Sequence, residues 1–230
     1  MAAFLAIPVI AAEFVARKLI SVAVANAVKS QIGVAPTIGF GSSPLLLQIA
    51  HGHLDAVTVS AKGARIGGLP PLSVSATLRD VHLRSITSLQ GAIGSLTVTA
   101  AVPPAGVRDL LATPSCVESM PPGVLAALTR SPYVAIFPGR VDLLPPHGRA
   151  AEVRMRPWVA GDSVRFTITG LDLAGAPVST AALAGARAQT FCHRSLGPLP
   201  FGISLRAASA ATGALDLVFT GAGASFSPLG

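Results

Sequence analysis

Charge is scarce in this sequence. Asp, Glu, Lys and Arg make up 12% of its 230 residues, against about 25% in an ordinary soluble domain. Acid is scarcest, with ten Asp and Glu against seventeen Lys and Arg, a net charge of +7. So few carboxylates lend no support to the paired acids of glycoside chemistry. Aromatics are 5% of the chain, and the arginines are singles from Arg17 to Arg206 that never form a run. The interleaving of aromatic and basic residues that single-strand binders use is missing. A basic balance without it excludes nucleic acid as the expected partner and favours anionic lipid headgroups. There is no G-x-S-x-G elbow and no GxxxxGK phosphate loop. His193-Arg194-Ser195 offers a base and a hydroxyl, with no acid nearby to orient the base. Long hydrophobic runs are missing too. Ala2 to Ala12 is apolar, but about 20 residues are needed to span a bilayer, and Glu13, Arg17 and Lys18 interrupt it. Two cysteines, Cys116 and Cys192, allow one pairing: a disulfide in an exported protein, two buried thiols in the cytosol.

What the chain has in excess is apolar surface. It is 51% hydrophobic with a mean hydropathy of +0.64, more than a compact core of ordinary design needs. The surplus belongs with membrane, a partner or a bound apolar ligand. Residues 9–32 are expected to form one long, weakly amphipathic helix. Val15, Leu19 and Val22 stack on its apolar side, Arg17, Ser21 and Lys29 mark the wetter side, and Gly33 is the stop. Residues 1–12 have a second reading, as the end of a signal or anchor segment that begins outside this sequence.

After Gly33 the period changes from 3.6 to 2. Val74, Ala76 and Leu78 alternate with polar residues, as do Leu96 and Val98. Val164, Phe166 and Ile168 do the same, then Ile203 and Leu205, then Leu215, Leu217 and Phe219. Such alternation predicts antiparallel strands with one apolar face. Gly161-Asp162 and Thr212-Gly213 mark hairpin turns. Residues 102–147 are rich in proline and read as a connecting insertion, with short helices at Pro104 to Ala112 and Pro122 to Thr129. The whole, 1–230, reads as a single α+β domain. One-sided strands must bury their apolar face, and one helix covers only part of it. The remainder would line a groove or tunnel.

His51-Gly52-His53-Leu54-Asp55 resembles half of a metal clasp. A metal site needs three or four ligands, and His82, His147 and His193 each stand alone. The ordinary reading is polar residues at the mouth of a strand, so no metal is expected there.

Read as one block, residues 42–83, SSPLLLQIAHGHLDAVTVSAKGARIGGLPPLSVSATLRDVHL, resemble the signature region of the LmeA-like phospholipid-binding family of actinobacterial envelope proteins. Ser43-Pro44-Leu45-Leu46 is similar to the family's small-residue/Pro-Phe-Leu stretch. Gly52-His53-Leu54-Asp55-Ala56-Val57-Thr58-Val59 is similar to its G-R-F-D-x-V-x-V strand, with His53 and Leu54 in place of the frequent Arg and Phe. Gly68-Leu69-Pro70-Pro71-Leu72 and Leu78-Arg79-Asp80-Val81 follow its next turn and strand. Leu199-Pro200-Phe201-Gly202-Ile203-Ser204-Leu205 and Gly213-Ala214-Leu215 resemble its closing strand pair. The resemblance covers residues 13–100 and 195–222.

The resemblance implies a tubular lipid-binding-like fold, a long N-terminal helix wrapped by a strongly curved antiparallel β-sheet. It implies a non-catalytic, cofactor-free protein of the cell envelope, periplasmic or anchored outside the cytoplasm. Such a protein would bind phospholipid, including anionic phosphatidylinositol-type lipid, at a membrane surface, and serve lipid or lipoglycan maintenance. On that reading Cys116 and Cys192 are expected to be bonded. The candidates for the acyl-chain lining are Val57, Val59, Val74, Leu78, Leu96, Val98, Phe166, Ile168, Leu205 and Leu217, with Arg65, Arg79 or Arg84 near a headgroup. Two alternatives remain open: an envelope scaffold that binds a protein partner, and a lipid-active hydrolase.

Overall fold

The computed structural model describes residues 13–18, 20–22, 24–26, 28–29, 32–65, 71–85, 90–118, 133–144, 151–173, 175–179, 190–195, 199 and 202–226. The described residues from 13 to 32 are helical and form α1. Two antiparallel sheets follow. The first has the order β1 (Thr37–Phe40), β2 (His53–Ala64), β3 (Leu72–Ser85), β4 (Gln90–Val102), β12 (Ala214–Phe226), β11 (Ser204–Ala211). The second runs β10 (Thr190–Ser195), β8 (Ser163–Leu173), β7 (Ala151–Ala160), β6 (Arg140–Leu144), β5 (Tyr133–Phe137), with the two-residue β9 (Ala176–Pro177) beside β8. Alternation in the sequence is the main cause: β2, β3, β4, β8 and β12 turn a mostly apolar row inward and a mostly polar row outward. Gly161-Asp162 makes the expected two-residue turn, with Ala160 opposite Ser163.

Three findings differ from expectation. The strands form two sheets rather than one, and neither closes. Residues 102–147 hold a hairpin of sheet two, β5–β6, as well as α3 (Pro104–Leu111) and α4 (Pro114–Glu118); the helix expected at Pro122 to Thr129 lies outside the described residues. α1 also turns a different face inward. Val15 and Val22 are 54% and 53% exposed, while Arg17, Ile20, Ser21, Val24, Val28 and Ile32 are half-buried. Ala and Val surround this helix, so hydrophobicity has too little contrast to orient it. A polar clamp described below does so instead.

One core joins the layers. Phe219, Leu215, Leu217 and Met155 are at most 1% exposed, and each large apolar side chain sealed in this way contributes about 1.5–3 kcal/mol. α3 begins on Pro104, whose missing N–H costs nothing there. It buries Val107, Leu110 and Leu111 and packs on β5 and β12. The two sheets also share hydrogen bonds at their hairpin tips: Gly139 N–H donates to Ala210 O at 2.8 Å and Gly213 N–H to Ile136 O at 3.1 Å.

A crease crosses four strands of sheet one. The pairs Leu54↔Val81 and Ala56↔Arg79 put Asp55 opposite Asp80. Arg79↔Ser95 and Val81↔Ile93 put Asp80 opposite Gly94. Ser95↔Ala222 and Ile93↔Ala224 put Gly94 opposite Gly223. On one side of this row the buried residues are Val57, Ala61, Leu96 and Val98; on the other they are Leu54, Val81 and Ile93. The buried parity changes by one while the register continues, because every strand carries one extra residue at the same level. Asp80 and Gly223 have φ of +55° and +66°, and a Cβ on Gly94 would lie 2.8 Å from that of Asp80. A side chain at 94 has no room at the fold line.

Asp142 is buried on the outer row of sheet two at 2% exposure. Arg140 Nε lies 3.1 Å from its Oδ2, and its Oδ1 has no hydrogen-bond partner among the described residues. Burial pushes its carboxyl above the usual range, against the attraction of Arg140. A raised carboxyl pKa in the folded state means that stability falls as pH rises through the raised value and recovers below the unfolded one. Asp142→Asn is therefore expected to gain on the wild type at neutral pH and to lose that advantage in acid, measured by urea unfolding of both proteins at each pH.

Candidate lipid-binding site

The inward face of sheet one is built from transverse rows that the strand register fixes. One row is Phe40, Val57, Leu78 and Leu96; the next is Ile38, Val59, Ala76, Val98, Phe219 and Leu205; the third is Ala61, Val74, Ala100, Leu217 and Ala208. Eight of the ten lining candidates lie in these rows. Phe166 and Ile168 lie across from them on sheet two, where Ile168 opposes Met155. All ten belong to, or pack against, one core cluster.

The rows are not equally covered. Leu96, Val98, Leu205 and Leu217 are at most 7% exposed, as are Phe166 and Ile168; they are sealed core side chains. Toward the β1 edge the face opens. Ile38, Phe40, Val59, Val74, Ala76 and Leu78 are only half-buried, although Val57 and Ala61 among them are buried. The candidates thus divide into seven sealed residues (Val57, Leu96, Val98, Phe166, Ile168, Leu205 and Leu217) and three on a half-open apolar strip (Val59, Val74 and Leu78).

α1 runs beside this strip and is pinned at both ends. At its start, Arg17 donates from Nη2 to Ser43 O at 2.9 Å and pairs with Glu13 at 2.7 Å. At its end, Arg65 N–H donates to Ile32 O at 3.2 Å. Between the pins Ile20 packs against the core, yet none of the described α1 residues is fully buried. These contacts run α1 from the chain just before β2 to the chain just after it, with Ile20 on the core and no described α1 side chain sealed.

Glu13 sets this placement. α2 (Leu45–Ala50) follows Pro44, which has no side chain able to cap it. The carboxylate of Glu13, from another helix, accepts the N–H groups of Leu45 at 2.5 Å and Leu46 at 2.9 Å, where the helix dipole favours negative charge. Gln48 ties the other side of α2 to β2, accepting Asp55 N–H at 2.8 Å. The Leu46 N–H holds the Glu13 carboxyl below the ordinary range, opposed by burial and aided by Leu45 and Arg17. This contribution is complete above the ordinary glutamate pKa and is lost as pH falls through the lowered value. Glu13→Ala is expected to speed hydrogen exchange at Leu45 and Leu46 at neutral pH, with the difference from wild type vanishing in strong acid.

The histidine pair divides between elements. His51 ends α2, and β2 begins at His53. The His53 ring lies 4.9 Å from that of His82, its cross-strand partner, and 3.4 Å and 3.8 Å from Asp55 and Asp80. Ser43 Oγ donates to Asp55 at 3.1 Å. Among the described residues no group of three His, Cys, Asp or Glu is arranged to hold a metal ion. His193 and Ser195 are on β10, whose side chains fall outside the described residues.

A separate pocket of about 280 Å³ opens at the turn end of sheet one, between Gly63, Pro71, Leu72, Ala101, Pro103 and Gly213. None of the ten candidates lines it, and it falls just below the usual size of ligand pockets, about 300–1,000 Å³. Cys116 is fully buried and disulfide-bonded, and α4, which carries it, packs against β10. Among the described residues no helix is long and apolar enough to cross a membrane.

Comparison with known proteins gives one match. A family model described as LmeA-like phospholipid-binding fits residues 11–220. No curated protein and no solved structure matches the chain.

Proposed function

The chain belongs to the LmeA-like phospholipid-binding family, and from that premise we propose that it holds phospholipid acyl chains between α1 and the half-open strip of β1–β3. One observation carries this reading: six half-buried apolar side chains lie on a sheet face beside a helix that buries none of its described residues completely. Each CH₂ removed from water there is worth about 0.8 kcal/mol, so chains alone can hold the ligand. Val59, Val74 and Leu78 form the floor, and the seven sealed candidates support it from beneath.

The headgroup sits at the end of the strip where α1 stops, beside the exposed Arg65; its guanidinium favours anionic, phosphatidylinositol-type lipid. Arg79 and Arg84 are also exposed, but they lie toward the creased end. The protein acts outside the cytoplasm, in envelope lipid or lipoglycan maintenance, without catalysis. The disulfide at Cys116 supports an oxidising compartment, and its partner on this reading is Cys192. The wrapped, tubular form of the helix and sheet belongs to the same proposal. Native mass spectrometry after incubation with mixed neutral and anionic phospholipids is expected to show a discrete lipid-bound species. Protein that stays unloaded across that mixture would contradict the reading and favour a scaffold.

A further inference from the structure

The outer face of sheet two gathers aromatic and basic residues from four successive strands, β5 to β8. Val134 and Ile136 of β5 are buried, so Tyr133 and Phe137 point outward, at 66% and 43% exposure. Phe137 opposes Arg140 on β6, and Val141↔Met155 puts Arg140 opposite Arg156. On β7 and β8, Trp158 opposes Arg165 and is 37% exposed. The guanidinium of Arg140 lies 4.8 Å from the centre of the Phe137 ring, and that of Arg165 lies 5.6 Å from the Trp158 ring. Trp158 Nε1 donates to Thr167 Oγ1 at 3.0 Å, which holds the indole across β8.

The composition of this face is unusual for the chain. The sequence has one tyrosine and one tryptophan, and both are exposed here. Both residue types favour the boundary between water and lipid, where an apolar ring and a polar tip are each satisfied. The charges separate into two groups. Arg140 is paired with Asp142, and Arg154 with Asp172 and Glu152. Arg156 and Arg165 have no ion-pair or hydrogen-bond partner among the described residues, and Arg165 Nε is buried with its donor unsatisfied.

We propose that this Trp158–Arg165–Arg156–Phe137 face docks the protein on an anionic phospholipid bilayer. Trp158, Phe137 and Tyr133 enter the headgroup layer, and Arg156 and Arg165 meet lipid phosphates. The surface is distinct from the acyl strip. It rests on the lipid reading only for the choice of a bilayer over another polyanion.

Because Trp158 is the one tryptophan, its fluorescence reports the event directly. With vesicles of phosphatidylcholine containing about a third phosphatidylglycerol, emission is expected to shift to the blue and to be quenched by lipids brominated high in the chain. The effect should be weak with phosphatidylcholine alone and should fade with added salt. Arg156→Glu with Arg165→Glu is expected to weaken anionic vesicle binding tenfold or more. Absence of the shift and the quenching in unmutated protein overturns the proposal, whatever the variant does. So does a shift caused by a single-stranded oligonucleotide and not by vesicles. Lipid load is measured separately: loaded protein whose Trp158 ignores vesicles refutes the docking face and leaves the acyl strip standing, whereas docking without load does the reverse.

Discussion

Val74→Trp is expected to abolish lipid uptake while the protein stays folded. Val74 lies between Ala61 and Ala100 in its row and is half-buried, so small neighbours and an open side leave room for an indole. That ring would occupy the volume where acyl chains lie. Acyl contacts are non-directional, and truncating one of them removes only a few CH₂ equivalents at about 0.8 kcal/mol each; filling the space removes the whole ligand. The sealed candidates behave differently. Phe166 is 1% exposed, and Phe166→Ala is expected to cost about 3–5 kcal/mol of stability through the cavity it leaves. Val98, at 7%, is a poor place for the same Trp test, since overpacking there strains the core. Lipid extraction from vesicles together with thermal unfolding separates the effects. Uptake by Val74→Trp equal to wild type would remove the strip as the site.

Loss of the disulfide has the next largest expected effect. Cys116 is bonded, and the one other cysteine of the sequence is Cys192. The proposed bond closes a loop from 116 to 192, which in the chain-entropy model is worth roughly 4 kcal/mol. It ties α4 to β10, an outer strand of sheet two, beyond what burial alone supplies. Reduction, or Cys116→Ala with Cys192→Ala, is expected to lower the urea midpoint by a corresponding amount. Peptide mapping of unreduced protein should show residues 116 and 192 in one linked pair. Two alkylatable thiols in unreduced protein would contradict the pairing.

Much of the strand content of both sheets was legible because alternation along a strand has one physical meaning. β3, β4, β8, β11 and β12 all follow their polar and apolar rows. β5 did not show itself. Tyr133-Val134-Ala135-Ile136-Phe137 is a continuous apolar run in a proline-rich region, and periodicity cannot assign such a run. α2 is six residues long, too short for a helical period, and its cap comes from Glu13, thirty-two positions away. That contact also decides the inward face of α1, and no local pattern encodes it. The crease was hidden for a related reason: it needs Asp55, Asp80, Gly94 and Gly223 at one level, which only strand register reveals.

The lining candidates were picked as an apolar set, and the set does share one core. Sequence could not say which of them are sealed, since exposure depends on what lies opposite. The outer face of sheet two makes the same point. Tyr133, Phe137, Arg140, Arg156, Trp158 and Arg165 are spread over 33 residues, and two hairpins bring them onto one face.

The central claim is that acyl chains lie between α1 and β1–β3. Photo-crosslinking with a phospholipid carrying a diazirine in its acyl chain, followed by peptide mapping, tests it most directly. Labels on peptides spanning Val57 to Ala61, Val74 to Leu78 and the α1 residues around Ile20 are the expected result. Labels confined to the small pocket near Gly63 and Pro103, or to the outer face of sheet two, would contradict it.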